Sequence, residues 1–281
     1  MDLASEIERN VTAALAEDVG SGDLTAQLAP DGPAQATVIS RQQAVLCGTA
    51  WFDACIRRLD PAARLRWLAR DGDAVTRDAC LCEISGSSRA LLTAERTALN
   101  FLQLLSAVAT TTRQYVDAVS GTRAAILDTR KTLPGLRIAQ KYAVTVGGGV
   151  NHRMGLWDAI LIKENHIAAA GGIRPALAAA AALANQAQWI QIEVETLEQL
   201  REAVEAGVKM VLLDNMSAEK MHEAVAWTSG RAELEASGGI TLQNVRSIAE
   251  TGVDRISIGA LTKDIAAVDL SMRFSGVAGK P

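Results

Sequence analysis

The chain has 281 residues, enough for one large domain or two smaller ones with a substantial core. Hydrophobic residues make up 49% and charged residues 21%, which excludes a disordered polypeptide. The net charge of −4 supplies no overall basic field for nucleic acid or a membrane surface, so any anion site has to be built locally.

The first ten residues, MDLASEIERN, are acidic and lack the apolar core of a signal peptide. No apolar run reaches the roughly 18 residues a membrane helix needs, and the expected setting is the cytoplasm. Residues 7–18 then predict a helix, with Ile7, Val11, Ala14 and Leu15 on one face. The loop 20–25, with Asp23 and Thr25, reads as a capped turn. Short alternating runs at 36–40, 64–68 and 79–84 predict strands, and Asp71-Gly72-Asp73 marks a turn between two of them. Cys47, Cys55, Cys80 and Cys82 show no CxxC spacing and read as structural thiols, the last two on one strand face. Residues 91–109 predict a long helix through Leu99, Leu102, Leu105, Val108 and Ala109.

From about residue 120 the rhythm changes. Short apolar strands at 124–127, 159–162, 190–194, 210–213, 232–235 and 256–258 alternate with helical patterns, among them 175–183, 197–206, 218–227 and 242–250. Six βα units with a parallel sheet follow. A closed barrel has eight strands, so a smaller or incomplete barrel is expected. An open doubly wound sheet is the other arrangement, although no Gly-x-Gly-x-x-Gly follows the first strand.

In parallel α/β folds the active site gathers at the carboxyl ends of the strands. Here the first strand ends in Asp128, Arg130 and Lys131, within LDTRKTLPG. The second ends in Lys163, Glu164, Asn165 and His166, shortly after Asn151-His152-Arg153. The third carries Glu193 and Glu195, the fourth Asp214 and Asn215, the fifth Glu235, Ser237, Gly238 and Gly239, and the sixth Gly259 and Ala260. Early strands thus bring cations, middle strands carboxylates, and late strands glycine-rich backbone whose free N–H groups suit a phosphate. Carboxylates beside a phosphate suit Mg²⁺ carried on a substrate. Arg and Lys suit further carboxylates or phosphates. The residues alone therefore describe a barrel that binds a phosphorylated, Mg²⁺-bearing ligand beside a second anion.

The runs DTRKTLPGLRIAQKYAV, GGGVNHRMGLWDAILIKENHI, IEVET, LLDNMS, SGGI and IGALT, with ERTALNFLQLLS upstream, resemble those of the quinolinate phosphoribosyltransferase family over nearly the whole chain. The resemblance implies an α/β fold: an N-terminal α/β sandwich, residues 1–110, completed by 268–281, and an incomplete, six- or seven-stranded parallel α/β barrel, residues 111–267. It implies that quinolinate and phosphoribosyl pyrophosphate react with Mg²⁺ to give nicotinate mononucleotide, pyrophosphate and CO₂. Carried over, Arg96, Arg130, Arg153 and Lys163 grip the quinolinate carboxylates, with His152 and Thr129 beside them. Lys131 and Lys163 face the pyrophosphate. Glu193 and Asp214 hold the ribose hydroxyls and Mg²⁺, and with the two lysines make up the catalytic set. Ser237, Gly238, Gly239, Gly259 and Ala260 cradle the 5′-phosphate. The resemblance also implies at least a homodimer, because each site borrows an arginine at the position of Arg96 from its neighbour. Many members have a His soon after the IGALT motif; here Lys263 and Asp264 follow Thr262.

Other residues read more plainly. His166 lies at a helix start or behind the site, and His222 lies on the surface of a helix. Glu195 either joins the site or begins the next helix. Glu235 either forms a buried salt bridge with a lysine or touches ligand. Trp157 and Trp189 read as core. Three rival functions stand beside the resemblance: a Schiff-base aldolase using Lys131 or Lys163, the paralogue associated with molybdenum transport, and a module that binds a sugar phosphate without chemistry. The cation set of Arg96, Arg130, Arg153 and Lys163 argues against the first two, and a metal-type acid pair beside a second anion subsite argues against the third.

Overall fold

A computed structural model describes residues 2–275. The first part of the chain contains helix α1 (Leu3–Val19), strands β1 (Pro33–Ser40) and β2 (Ala44–Val45), helix α2 (Thr49–Leu59), strands β3 (Arg64–Trp67), β4 (Ala74–Val75) and β5 (Cys80–Ser87), and the long helix α3 (Ser88–Ala118). There follow β6 (Ala125–Leu127), α4 (Arg137–Val146), β7 (Ile160–Ile162), α5 (Glu164–Ala170), α6 (Ile173–Ala181), β8 (Ile190–Val194), α7 (Leu197–Glu205) and β9 (Met210–Asp214). The last elements are α8 (Ala218–Thr228), β10 (Glu233–Ser237), α9 (Val245–Ala249), β11 (Arg255–Ser257), α10 (Ala260–Lys263) and β12 (Leu270–Ser275).

These elements form two compact units. The first comprises the chain up to Thr111, Leu133–Gly147 and the segment from Asp264. Its sheet runs β12-β1-β5-β3 with antiparallel neighbours, and β2 and β4 form a separate ribbon. Residues 276–281 of the expected closing segment lie outside the described residues. The thiols of Cys47, Cys55 and Cys82 are buried here, and burial pushes those of Cys55 and Cys82 up to about 12. They act as small apolar side chains. Segment Leu133–Gly147 groups with this unit, unlike the continuous 111–267 stretch expected. The reason is local bonding: Arg9 and Asn10 both donate to the carbonyl of Gly135, and the Tyr142 hydroxyl donates to Asp71 at 2.9 Å.

The second unit, Thr112–Thr132 with Gly148–Lys263, is an incomplete parallel barrel of six strands in the order β6-β11-β10-β9-β8-β7. Every neighbouring pair is parallel. That order is the chain order wound round once, with the seam between β6 and β7. On the β6 side of the seam, Val150 bridges to Leu127. The strands are short, and one face of the sheet is apolar: Ile192, Val194, Val211, Leu213, Leu234, Ala236 and Ile256 are buried and lie in register with one another. The helices between them begin on local signals. Thr196 caps α7 by accepting from the Gln199 N–H, and Ser217 caps α8 by accepting from the Lys220 N–H. This winding sets all six strand ends on one rim.

Candidate active site

At the end of β6 stands Asp128, fully buried. Its carboxylate accepts the backbone N–H of His152 at 2.9 Å, and its own N–H donates to the Val150 carbonyl at 3.3 Å. These two bonds tie the strand end to the segment across the seam, and they bring Arg130 and Arg153 into each other's field. Arg153 is 8% exposed, and its Nη1 donates to the Ala159 carbonyl at 3.1 Å. Burial draws its pKa below the usual arginine value, the charge of Arg130 draws it further, and Asp158 opposes both. Asp158 is itself held in a tight turn, accepting the N–H groups of Met154 at 2.7 Å and Gly155 at 2.9 Å.

Lys131 lies against the end of β11. A Cβ added to Gly259 would sit 2.9 Å from Lys131 Cδ, so glycine leaves the lysine its path. The Thr262 hydroxyl donates to the Lys131 carbonyl at 2.8 Å, and Thr129 Oγ1 accepts the Lys131 N–H at 3.0 Å. Gly259 and Ala260 are partly exposed beside them.

Across the barrel, Lys163 at the end of β7 pairs with Glu193 on β8, Nζ to Oε2 at 2.7 Å. Lys163 is 46% exposed in its side chain. A pair that open to water contributes about 0–1 kcal/mol, so a ligand can displace it at little cost. Asp214 ends the neighbouring strand β9 and accepts from the Asn215 side-chain amide at 2.8 Å. Its register partner on β10 is Ser237. Next come Gly238 and Gly239, both in the positive-φ region, at +100° and +60°. A Cβ on Gly238 would stand 2.0 Å from Asn215 Oδ1, so the backbone here passes closer to Asn215 than any side chain allows. Glu193 and Asp214 are two acids on adjacent strands, and among the described residues no group of three or more His, Cys, Asp or Glu side chains is spaced for a metal. Two carboxylates without a protein cage fit Mg²⁺, which keeps waters and takes its remaining ligands from phosphate.

Lys131, Lys163, Arg130, Arg153, Thr129, Glu193, Asp214, Ser237, Gly238, Gly239, Gly259 and Ala260 thus all lie at strand ends of the second unit or in the segment across its seam. Arg96 does not: it sits on α3 in the first unit, exposed. His152 is buried. Its Nδ1 accepts the Arg153 N–H at 2.9 Å, its Nε2 faces Gln191 Oε1 at 3.2 Å, and Trp189 packs edge-on against its ring. Both ring nitrogens therefore have protein partners. His166 Nδ1 accepts the Lys163 N–H, so it belongs to the start of α5. Glu195 donates its N–H to Gln199 Oε1 just ahead of α7. His222 is exposed, as expected.

Two expectations need correction. Trp157 is not core but 76% exposed, because the Asp158 turn projects it outward. Glu235 is buried without a lysine: it accepts from Gln191 Nε2 at 3.0 Å. Sequence reasoning also passed over Asp158 and Gln191. For Gln191 the signal was there: a lone polar amide in the strand IQIEV, two residues before Glu193 and so on the same face.

Residues 23–106 match the family described as Quinolinate phosphoribosyl transferase, N-terminal domain, and residues 108–273 match its C-terminal domain. A probable nicotinate-nucleotide pyrophosphorylase [carboxylating] of Bacillus subtilis is 40% identical over 91% of this chain and 89% of its own. The chloroplastic nicotinate-nucleotide pyrophosphorylase [carboxylating] of Arabidopsis thaliana is 37% identical over 96% of this chain and 83% of its own. Among solved structures, the nicotinate-nucleotide pyrophosphorylase from Francisella tularensis superposes with a TM-score of 0.94 at 46% identity, covering 96% of each chain.

The two glycines at the end of β10 separate backbone strain from collision. Nothing lies within 4 Å of a Cβ on Gly239, so Gly239→Ala carries only the left-handed penalty of about 1–2 kcal/mol. Gly238→Ala adds the clash with Asn215. In thermal melts Gly239→Ala should lower Tm by a few degrees, and Gly238→Ala by roughly 5–15 °C. Equal melting temperatures would contradict the close approach at Gly238.

Proposed function

The chain belongs to the quinolinate phosphoribosyltransferase family and makes nicotinate mononucleotide from quinolinate and phosphoribosyl pyrophosphate, with loss of pyrophosphate and CO₂; we propose that the ends of β6 to β11 divide this work as follows. Arg130, Arg153 and Lys163 grip the two carboxylates of quinolinate. The observation that carries this reading is that three cations, Arg130 just after β6, Lys163 just after β7 and the buried Arg153 in the segment between those strands, belong to one rim. A dianion removes their repulsion, and a guanidinium fork matches a carboxylate edge to edge.

Lys131 and Lys163 face the pyrophosphate. Glu193 and Asp214 hold the ribose hydroxyls and Mg²⁺. Bound with the diphosphate, Mg²⁺ supplies Lewis-acid neutralisation of the leaving group. Ser237, Gly238, Gly239, Gly259 and Ala260 cradle the 5′-phosphate on backbone that carries little side-chain bulk, and Thr129 lends a hydroxyl beside it. The ring nitrogen attacks the ribose carbon as its bond to pyrophosphate breaks. Positive charge developing on the ribose is favoured by the carboxylates. The bond to the 2-carboxyl group then breaks, CO₂ departs, and the electron pair left on the ring carbon sits beside the pyridinium nitrogen until a proton replaces it. The protein's task in that step is to hold the ring and exclude water. His152 serves by holding Arg153, since its own nitrogens are already engaged.

Arg96 is supplied to this site by a second copy of the chain. Its exposure on α3 supports that reading. The four free thiols suit a reducing compartment such as the cytoplasm. No helix among the described residues is long and apolar enough to cross a membrane.

Purified protein mixed with quinolinate, phosphoribosyl pyrophosphate and Mg²⁺ should form nicotinate mononucleotide and CO₂ in equal amounts, and omission of Mg²⁺ should stop it. Arg130→Ala and Arg153→Ala should each raise KM for quinolinate roughly 10- to 100-fold while moving KM for phosphoribosyl pyrophosphate far less. Unchanged quinolinate affinity in both variants would remove them from the site. Mixed subunits carrying Arg96→Ala and Lys163→Ala should regain part of the activity that each variant lacks alone. No regain after demonstrated subunit exchange would show that Arg96 serves no neighbouring site.

A further inference from the structure

Glu235 is a buried acid that the chemistry above does not use. It lies on β10 at 1% exposure, and Gln191 lies on β8, one strand further than its neighbour. In a barrel, inward side chains from alternate strands meet in a layer. Here that layer is polar. Gln191 Nε2 donates to Glu235 Oε2 at 3.0 Å, Gln191 Oε1 faces His152 Nε2 at 3.2 Å, and His152 Nδ1 accepts the Arg153 N–H at 2.9 Å. The second oxygen of Glu235 has no hydrogen-bond partner and stands 3.6 Å from His152 Nε2. A buried carboxylate without a full set of partners lowers stability, and its presence calls for a reason.

The two ends of this run determine its direction. A carboxylate can only accept, and a backbone N–H can only donate. The Gln191 amide must therefore turn its NH₂ toward Glu235 and its oxygen toward His152. His152 must then carry its proton on Nε2, leaving Nδ1 bare for Arg153. The opposite tautomer, or the doubly protonated ring, sets donor against donor at Arg153. The His152 backbone is pinned separately, its N–H on Asp128 at 2.9 Å.

We propose that Glu235 is a positioning residue for the quinolinate subsite: through Gln191 it holds His152 in the Nε2–H tautomer, and His152 in turn fixes the main chain that aims Arg153. This rests on the reading of Arg153 as a carboxylate grip. Glu235→Gln keeps the shape but introduces a donor, so the run no longer has a single direction. Exchanging the pair, as Gln191→Glu with Glu235→Gln, returns an acceptor to face His152 and a donor to bridge the strands.

The chain has three histidines, which makes the test tractable by nitrogen NMR of histidine-labelled protein, with assignments from His166→Gln and His222→Gln. The wild-type His152 ring should show a protonated Nε2 and a bare Nδ1. Glu235→Gln should lose that single tautomer and raise KM for quinolinate about tenfold, while kcat and KM for phosphoribosyl pyrophosphate change less than about threefold. The exchanged double variant should restore both the tautomer and KM. A Glu235→Gln protein that melts like wild type yet keeps tautomer and KM would overturn the proposal. Arg153→Lys separates the two readings. An unchanged quinolinate KM there would overturn the role of Arg153 itself, whereas a KM that moves there and stays fixed in Glu235→Gln would overturn the relay.

Discussion

Two positive side chains held near each other and partly away from water are an unfavourable arrangement, and the barrel keeps one. Arg130 follows β6, and Arg153 follows the segment that Val150 bridges to β6, ahead of β7. Like charges at short range repel most where water is excluded. Two acids order the chain around the pair. Asp128 holds the His152 main chain, and Asp158 closes the turn after Arg153 while partly offsetting its burial.

The rest of the rim can be understood from that charge. On the far side, Lys163 rests on Glu193. The bond is short but open to water, so it keeps the lysine in place without binding it tightly. The barrel's polar interior layer has the opposite character. Gln191, Glu235 and His152 are buried and joined by directional hydrogen bonds that any rearrangement would break. The site thus combines an exchangeable outer ion pair with a fixed inner frame.

Much of this arrangement is legible in the sequence. The six parallel strands fell within about two residues of the apolar runs, since short βα units repeat a simple pattern. The cations, acids and glycines at the strand ends were legible because a polar residue has little other reason to close a buried strand. What escaped depends on distant partners. Helix α2 begins after Gly48 with no capping side chain of its own; Asp71 accepts the N–H groups of Gly48 and Thr49 from further along the chain. That 268–281 closes the first unit came from the resemblance alone; the pairing of β12 with β1, more than two hundred residues earlier, leaves no local pattern. Segment Leu133–Gly147 looked like part of a barrel crossover until Arg9, Asn10 and Asp71 claimed it. Glu235 was recognisable as unusual, but a local pattern cannot name Gln191 and His152 as its partners.

The central claim is that the rim holds paired positive charge matched to a dianion. Calorimetric titration of the free protein with quinolinate and with nicotinate, the same ring with one carboxylate fewer, tests it most directly. Quinolinate should bind at least about tenfold more tightly, with the difference shrinking as salt is raised. Equal affinities, or a preference for nicotinate, would contradict the account.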